Sequence, residues 1–162
     1  MTIKILGIDP GLRSTGFGII QKQNNKYHYI VSGCIKSDKN QQNQNLSQRI
    51  GTIFDGICEI IKQYQPDAAC IEKVFVNVNP NSTLLLGQAR GAALAALSFH
   101  KLPVIEFSAL QIKQAVTGNG KADKKQVQHM IVRLLNLDAT PQSDAADALA
   151  AAICCGNHNC FV

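Results

Sequence analysis

Residues 3–21 read IKILGIDPGLRSTGFGIIQ. The β-rich apolar run from Ile3 to Ile8 ends on Asp9, and Pro10-Gly11 follows as a turn signal. Gly11 and Gly16 bracket the turn, and Gly16 to Gln21 reads as a second strand. Asn24-Asn25 is the next turn, and Tyr27 to Ile35 (YHYIVSGCI) the third strand. Two short connections in succession make an antiparallel meander.

Beyond the meander the period changes. From Leu46, apolar residues recur at Ile50, Ile53, Phe54, Ile57, Cys58 and Ile61, which is helical spacing, with Ser47 as the entry cap and Pro66 past the end. Asp67 to Val76 (DAACIEKVFV) predicts a fourth strand, interrupted by Glu72. Asn77 to Ser82 reads as a loop, and Ser82 as the cap of a long helix over 83–100. Val104 to Phe107, introduced by Pro103, predicts a fifth strand. Helical stretches follow at 108–116, 124–136 and 143–156. The order βββαβαβααα predicts an α/β mixed sheet with helices on both faces. The polar run NQQNQN at 40–45 reads as a solvated loop. No repeat or linker divides the chain, so a single domain over 1–162 is expected.

Composition narrows the class of partner. The chain has 162 residues, 46% hydrophobic and 17% charged, enough for one packed core and unlike a disordered polymer. Lys plus Arg number 16 against 11 Asp plus Glu, a net charge of +5 that suits a polyanionic partner. No stretch approaches the roughly 20 apolar residues of a membrane span, and the N-terminus lacks the pattern of an export signal. Six cysteines without a C-x-x-C pair read as reduced thiols, Cys154, Cys155 and Cys160 crowding near His158. A soluble cytoplasmic protein with no membrane partner is expected.

With so few acids, their placement matters. Asp9 ends the first strand and Glu72 lies in the fourth. Asp144 and Asp147, in SDAADALAAAI, stand one turn apart on one face of the last helix. Each has an ordinary reading: Asp9 as a turn residue before Pro-Gly, Glu72 as solvent-facing, Asp144 as a helix-start acid. Together they form a constellation if the last helix crosses the sheet beside Asp9. Four gathered carboxylates repel one another, and burial opposes their charge. A hard divalent cation resolves that conflict through oxygen ligands. Two ions about 3.5–4 Å apart would clamp the attacking and leaving oxygens of a phosphoryl transfer.

These segments resemble the RuvC family of Holliday junction resolvases, within the ribonuclease H-like superfamily. The resemblance rests on ILGIDPG at 5–11, TGFG at 15–18, SGCI at 32–35, PDAACIEKVF at 66–75, LGQARG at 86–91, IKQAVTGNGKADKKQVQHM at 112–130 and SDAADALAAAI at 143–153. It implies a ribonuclease H-like fold and a homodimer that nicks two like-oriented strands of a four-way DNA junction. It also implies Mg²⁺ as cofactor, one or two ions per subunit with Mn²⁺ as substitute, and RuvA and RuvB as partners. Asp9, Glu72, Asp144 and Asp147 then take the places of the metal-binding catalytic acids. Lys113 and Lys124 match lysines near the scissile phosphate, and Phe75 an aromatic that contacts bases at the opened crossover.

From the residues alone, the simpler readings are a solvated helix face for Lys113 and Lys124 and a core position for Phe75, with stacking on an unpaired base as the sharper one. Arg13, in the first turn, is a candidate phosphate grip. The helix over 83–100 is a candidate dimer face through Leu86, Ala89, Arg90, Ala93, Leu94 and Leu97, and an ordinary core helix explains the same pattern. Another ribonuclease H-like nuclease acting on RNA, or a junction-binding protein that does not cleave, remains an alternative. A sugar-kinase or actin-like ATPase needs two such domains and a longer chain.

Overall fold

A computed structural model describes residues 1–38, 45–75 and 78–158. Among them, β1 (Thr2–Asp9), β2 (Ser14–Gln23), β3 (Lys26–Lys36), β4 (Ala68–Glu72) and β5 (Val104–Phe107) form one sheet in the order β3-β2-β1-β4-β5. The first three strands are the expected antiparallel meander, while β4 runs parallel to β1 and β5 parallel to β4. Helices α1 (Leu46–Tyr64) and α2 (Pro80–Phe99) cover one face, and α3 (Ala109–Thr117), α4 (Lys124–Leu135) and α5 (Ser143–Asn157) the other.

Strand β1 lies between two cores, which is why it reads as an unbroken apolar run. Leu6 and Ile8 face α1 and α2 with Ile53, Ile57, Ala93 and Leu97. Ile5 faces the other way, with Ile112, Ile131, Leu149 and Ile153. Gly7 and Asp9 share that second face by strand alternation. Cys154 and Cys155 are buried in the same core, and Cys160 lies outside the described residues. No helix among the described residues is long and apolar enough to cross a membrane.

Local chemistry sets the helix ends, and it corrects two expectations. Helix α1 is capped by Asn45 in a reciprocal box with Gln48, not by Ser47. Helix α2 begins at Pro80, three residues early, because Asn79 accepts from the Asn81 and Ser82 main-chain N–H groups, and Ser82 falls inside the first turn. Ser108 with Gln111 starts α3, and Asp123 with Gln126 starts α4, again as capping boxes. Helix α5 begins at Ser143 without a side-chain cap. Of the polar run at 40–45, residues 40–44 lie outside the described set.

The fourth strand is shorter than expected. It ends at Glu72, where β5 reaches its last residue Phe107 and β1 gives way to Pro10. Lys73, Val74 and Phe75 leave the sheet, and Val76 is outside the described residues. Phe75 is 72% exposed, which overturns its reading as a core residue. On α2 the core-helix alternative holds for three of the six residues of the candidate dimer face. Ala89, Ala93 and Leu97 are fully buried in the chain's own core, whereas Leu84, Leu85 and Phe99 point outward.

Helix α5 lies unusually close to β1 and β2. A Cβ built on Gly7 would stand 1.9 Å from the Ala148 carbonyl oxygen, and one on Gly16 would stand 2.0 Å from that of Asp144. Only glycine permits this approach. Gly7→Ala is therefore expected to destabilise the protein by about 1–3 kcal/mol or more, because main chain cannot swing aside. Gly51→Ala, inside α1 with open space around it, is expected to stabilise by about 0.5–1 kcal/mol. Denaturant midpoints measure both, and equal effects would refute the packing argument.

Candidate metal-dependent nuclease centre

The approach of α5 determines where its acids stand. Asp9 is the last residue of β1 and pairs with Gly16, against which Asp144 packs. Asp9, Asp144 and Asp147 each offer a carboxylate oxygen, and these three atoms lie within 4.8 Å of one another. Glu72 ends the neighbouring strand β4 and is absent from that tight group. It faces the same region across a cavity of about 250 Å³ lined by Glu72, Lys113, Lys124 and Asp147, with Ile112, Val127 and Ala150 as apolar wall.

The electrostatics are those of a crowded, sheltered acid cluster. Burial pushes the Asp9 carboxyl up to about 8, with Asp147, Glu72 and Asp144 adding repulsion and Lys124 opposing it. Glu72 is also raised, first by burial and then by Asp147, with Lys113 opposing. Lys124 Nζ bonds Asp147 Oδ2 at 3.3 Å. Lys113 and Lys124 thus join the acids rather than occupying a remote solvated face.

Arg13 does not join this group. Its side chain is 85% exposed and pairs with Asp38, Nε to Oδ2 at 3.3 Å. Phe75 stands three residues beyond Glu72, outside the cavity lining. The turn after Asp9 has supports that motif reading missed. The buried Thr15 hydroxyl donates to the Gly11 carbonyl at 2.8 Å and accepts from the Gly11 N–H at 3.3 Å. Ser37 Oγ donates to the Leu12 carbonyl, and Arg49 Nε donates to Ser37 Oγ at 3.2 Å. A buried Thr four residues from a Gly-containing turn was the available signal for the first.

Comparison with known proteins decides the lineage. The family model "Crossover junction endodeoxyribonuclease RuvC" matches residues 5–155. The chain belongs to the RuvC family. A RuvC from Cupriavidus taiwanensis is 62% identical over 155 residues, covering 96% of this chain and 84% of the relative. Among solved structures, Thermus thermophilus RuvC in complex with a Holliday junction substrate is 30% identical with a TM-score of 0.88, covering 96% of this chain and 94% of that one. The yeast mitochondrial Holliday junction resolvase Ydc2, at 13% identity and a TM-score of 0.70, shares the fold. RuvC relatives therefore account for the sheet order and for the ribonuclease H-like fold.

The donor set fits a hard cation. All the candidate ligands are carboxylate oxygens, and the burial that makes Asp9 hold a proton is relieved by a cation in its place. This gives a stability signature. The unfolded chain titrates Asp9 near 3.8, while the folded, cation-free protein holds that proton to about 8. The folded state binds more protons across this window, so stability falls as pH rises through it. Asp9→Asn removes the effect. In chelator, the melting temperature of the parent should fall relative to that of Asp9→Asn from pH 4 to pH 8, with the widest gap at the upper end. Parallel melting curves would refute the electrostatic reading.

Proposed function

We propose that this chain is a Mg²⁺-dependent endodeoxyribonuclease that resolves four-way DNA junctions by paired symmetric nicks, working as a homodimer in the bacterial cytoplasm. The observation that carries the reading is the three-carboxylate group Asp9, Asp144 and Asp147 with Glu72 opposite, set beside two lysines and enclosed by RuvC-type architecture. Mn²⁺ suits the same oxygen donors.

Asp9, Asp144 and Asp147 would hold one or two ions, with Glu72 completing the set. When bound, the cation supplies a polarised water and counter-charge for the departing oxygen. Lys113 and Lys124 hold the scissile phosphate and offset charge developing on its oxygens. Water oxygen bonds to phosphorus as the bond to the 3′ oxygen breaks, leaving a nick that ligase can seal. Phe75, exposed beyond the strand end, stacks on a base freed at the crossover. Arg13 contributes a peripheral phosphate contact. Leu84, Leu85 and Phe99 form the outward face of α2 on which a second copy docks. RuvA and RuvB are the expected branch-migration partners.

The test is a nicking assay on a synthetic four-way junction beside linear duplex and an RNA–DNA hybrid. Symmetric junction nicks with Mg²⁺ or Mn²⁺, and almost none on duplex, are expected. Equal cutting of duplex or preference for the hybrid favours a general or RNA-directed nuclease, and binding without cutting favours the non-cleaving alternative. Asp9→Asn should abolish nicking while junction binding persists.

Lys113→Ala and Lys124→Ala should each lower the cleavage rate by about 100-fold with dimerisation intact. Single-turnover kinetics and sedimentation read the two quantities, and unchanged rates would remove the lysines from the mechanism. Phe75→Ala should weaken junction engagement by about 1–3 kcal/mol, seen as lost fluorescence of 2-aminopurine at the crossover.

A further inference from the structure

The end of β4 has a main-chain vacancy that the sheet does not fill. Pairing with β1 stops at Ile8 opposite Ile71, while pairing with β5 continues to Glu72 opposite Phe107. The Lys73 N–H donates to the Phe107 carbonyl at 2.8 Å. Successive residues of a strand direct their N–H and C=O to alternate sides, so those of Glu72 face β1. The next β1-side donor in register for the Glu72 carbonyl would be residue 10. That residue is Pro10, which has no N–H.

Arg90 of α2 supplies the missing donor. Its Nε donates to the Glu72 carbonyl oxygen at 3.1 Å. Its Nη2 contacts Glu106 Oε1 on β5 at 3.0 Å. The Arg90 side chain is only 17% exposed, against 41% for Glu106. A planar fork held on two edges has little freedom to turn. Its flanking neighbour Ala89 is fully buried in the core below α2, so the arginine stands on a rigid base. The cation that opposes the effect of burial on the Glu72 carboxyl is Lys113; Arg90 grips the main chain.

We propose that Arg90 is the positioning residue for Glu72: it replaces the ladder donor that Pro10 lacks, and so fixes the direction in which the Glu72 carboxylate leaves the sheet. The inference rests on Glu72 acting at the acidic cluster. Helix α2, on the opposite face of the sheet, thereby reaches the site through one side chain.

Arg90→Lys keeps the charge but cannot span both partners with one nitrogen. Calorimetric Mn²⁺ affinity of the DNA-free protein and single-turnover junction cleavage should each fall by about tenfold, with metal-free junction affinity unchanged within about twofold. Pro10→Ala restores a main-chain N–H opposite the carbonyl. Placed in the Arg90→Lys background, it should recover part of both losses. Parental Mn²⁺ affinity and cleavage in Arg90→Lys overturn the inference, as does a failure of Pro10→Ala to recover either loss.

Should Arg90→Lys be too unstable to assay, Glu106→Gln loosens the same fork. Weakened Mn²⁺ binding then supports the inference, and parental binding overturns it. Glu72→Gln separates the two readings. An inert Glu72→Gln beside an unaltered Arg90→Lys overturns this inference alone, whereas a fully active Glu72→Gln with parental Mn²⁺ affinity overturns the role of Glu72 and this inference with it.

Discussion

Contact between the main chain of α5 and the glycines of β1 and β2 governs the molecule. At Gly7 and Gly16 the helix carbonyls stand where a methyl group would otherwise be. Helix and sheet meet there backbone to backbone, with alanines on the helix side. Backbone contacts of this kind hold position more tightly than side chains, which can repack. The acids of α5 are carried to Asp9 by this contact. It is a packing constraint before it is a chemical one.

Once gathered, the acids create a problem that the surroundings only partly answer. Burial and mutual repulsion drive Asp9 toward its neutral form. Lys124 and Lys113 reach in from α4 and α3 and ease the strain at the rim. The remaining imbalance is an affinity for a cation. The same lysines line the cavity beside the acids, so under the proposed function the groups that moderate the free protein would also suit a polyanionic substrate. The net charge of +5 thus conceals two opposed regions.

Much of this was legible in the sequence, because the governing features are periodic or compositional. The meander, the mixed sheet and the order of helices follow from strand and helix periods, and Asp9, Glu72, Asp144 and Asp147 stood out as acids in apolar settings. What was not legible depended on partners distant in the chain. Strand β4 looks longer in the sequence because Val74, Phe75 and Val76 extend the β-branched and aromatic run, yet a strand ends where its neighbours end. Asn45 and Asn79 outcompeted Ser47 and Ser82 as caps because their carbonyl side chains reach the free N–H groups from one step outside each helix. Spacing alone groups Arg90 with the candidate dimer face of α2, and only the missing N–H of Pro10 hints at its real contact.

The helix starts differ in one further respect. Helices α1, α3 and α4 each satisfy their own first-turn donors through a capping box closed by a neutral glutamine. Helix α5 has no such cap, and its first turn bears Asp144. The positive end of its peptide dipoles therefore has Asp144 as its acidic neighbour. Part of the counter-charge beside Asp144 is built from peptide groups. No shift in acidity can titrate that part, and no exchange of side chains can delete it.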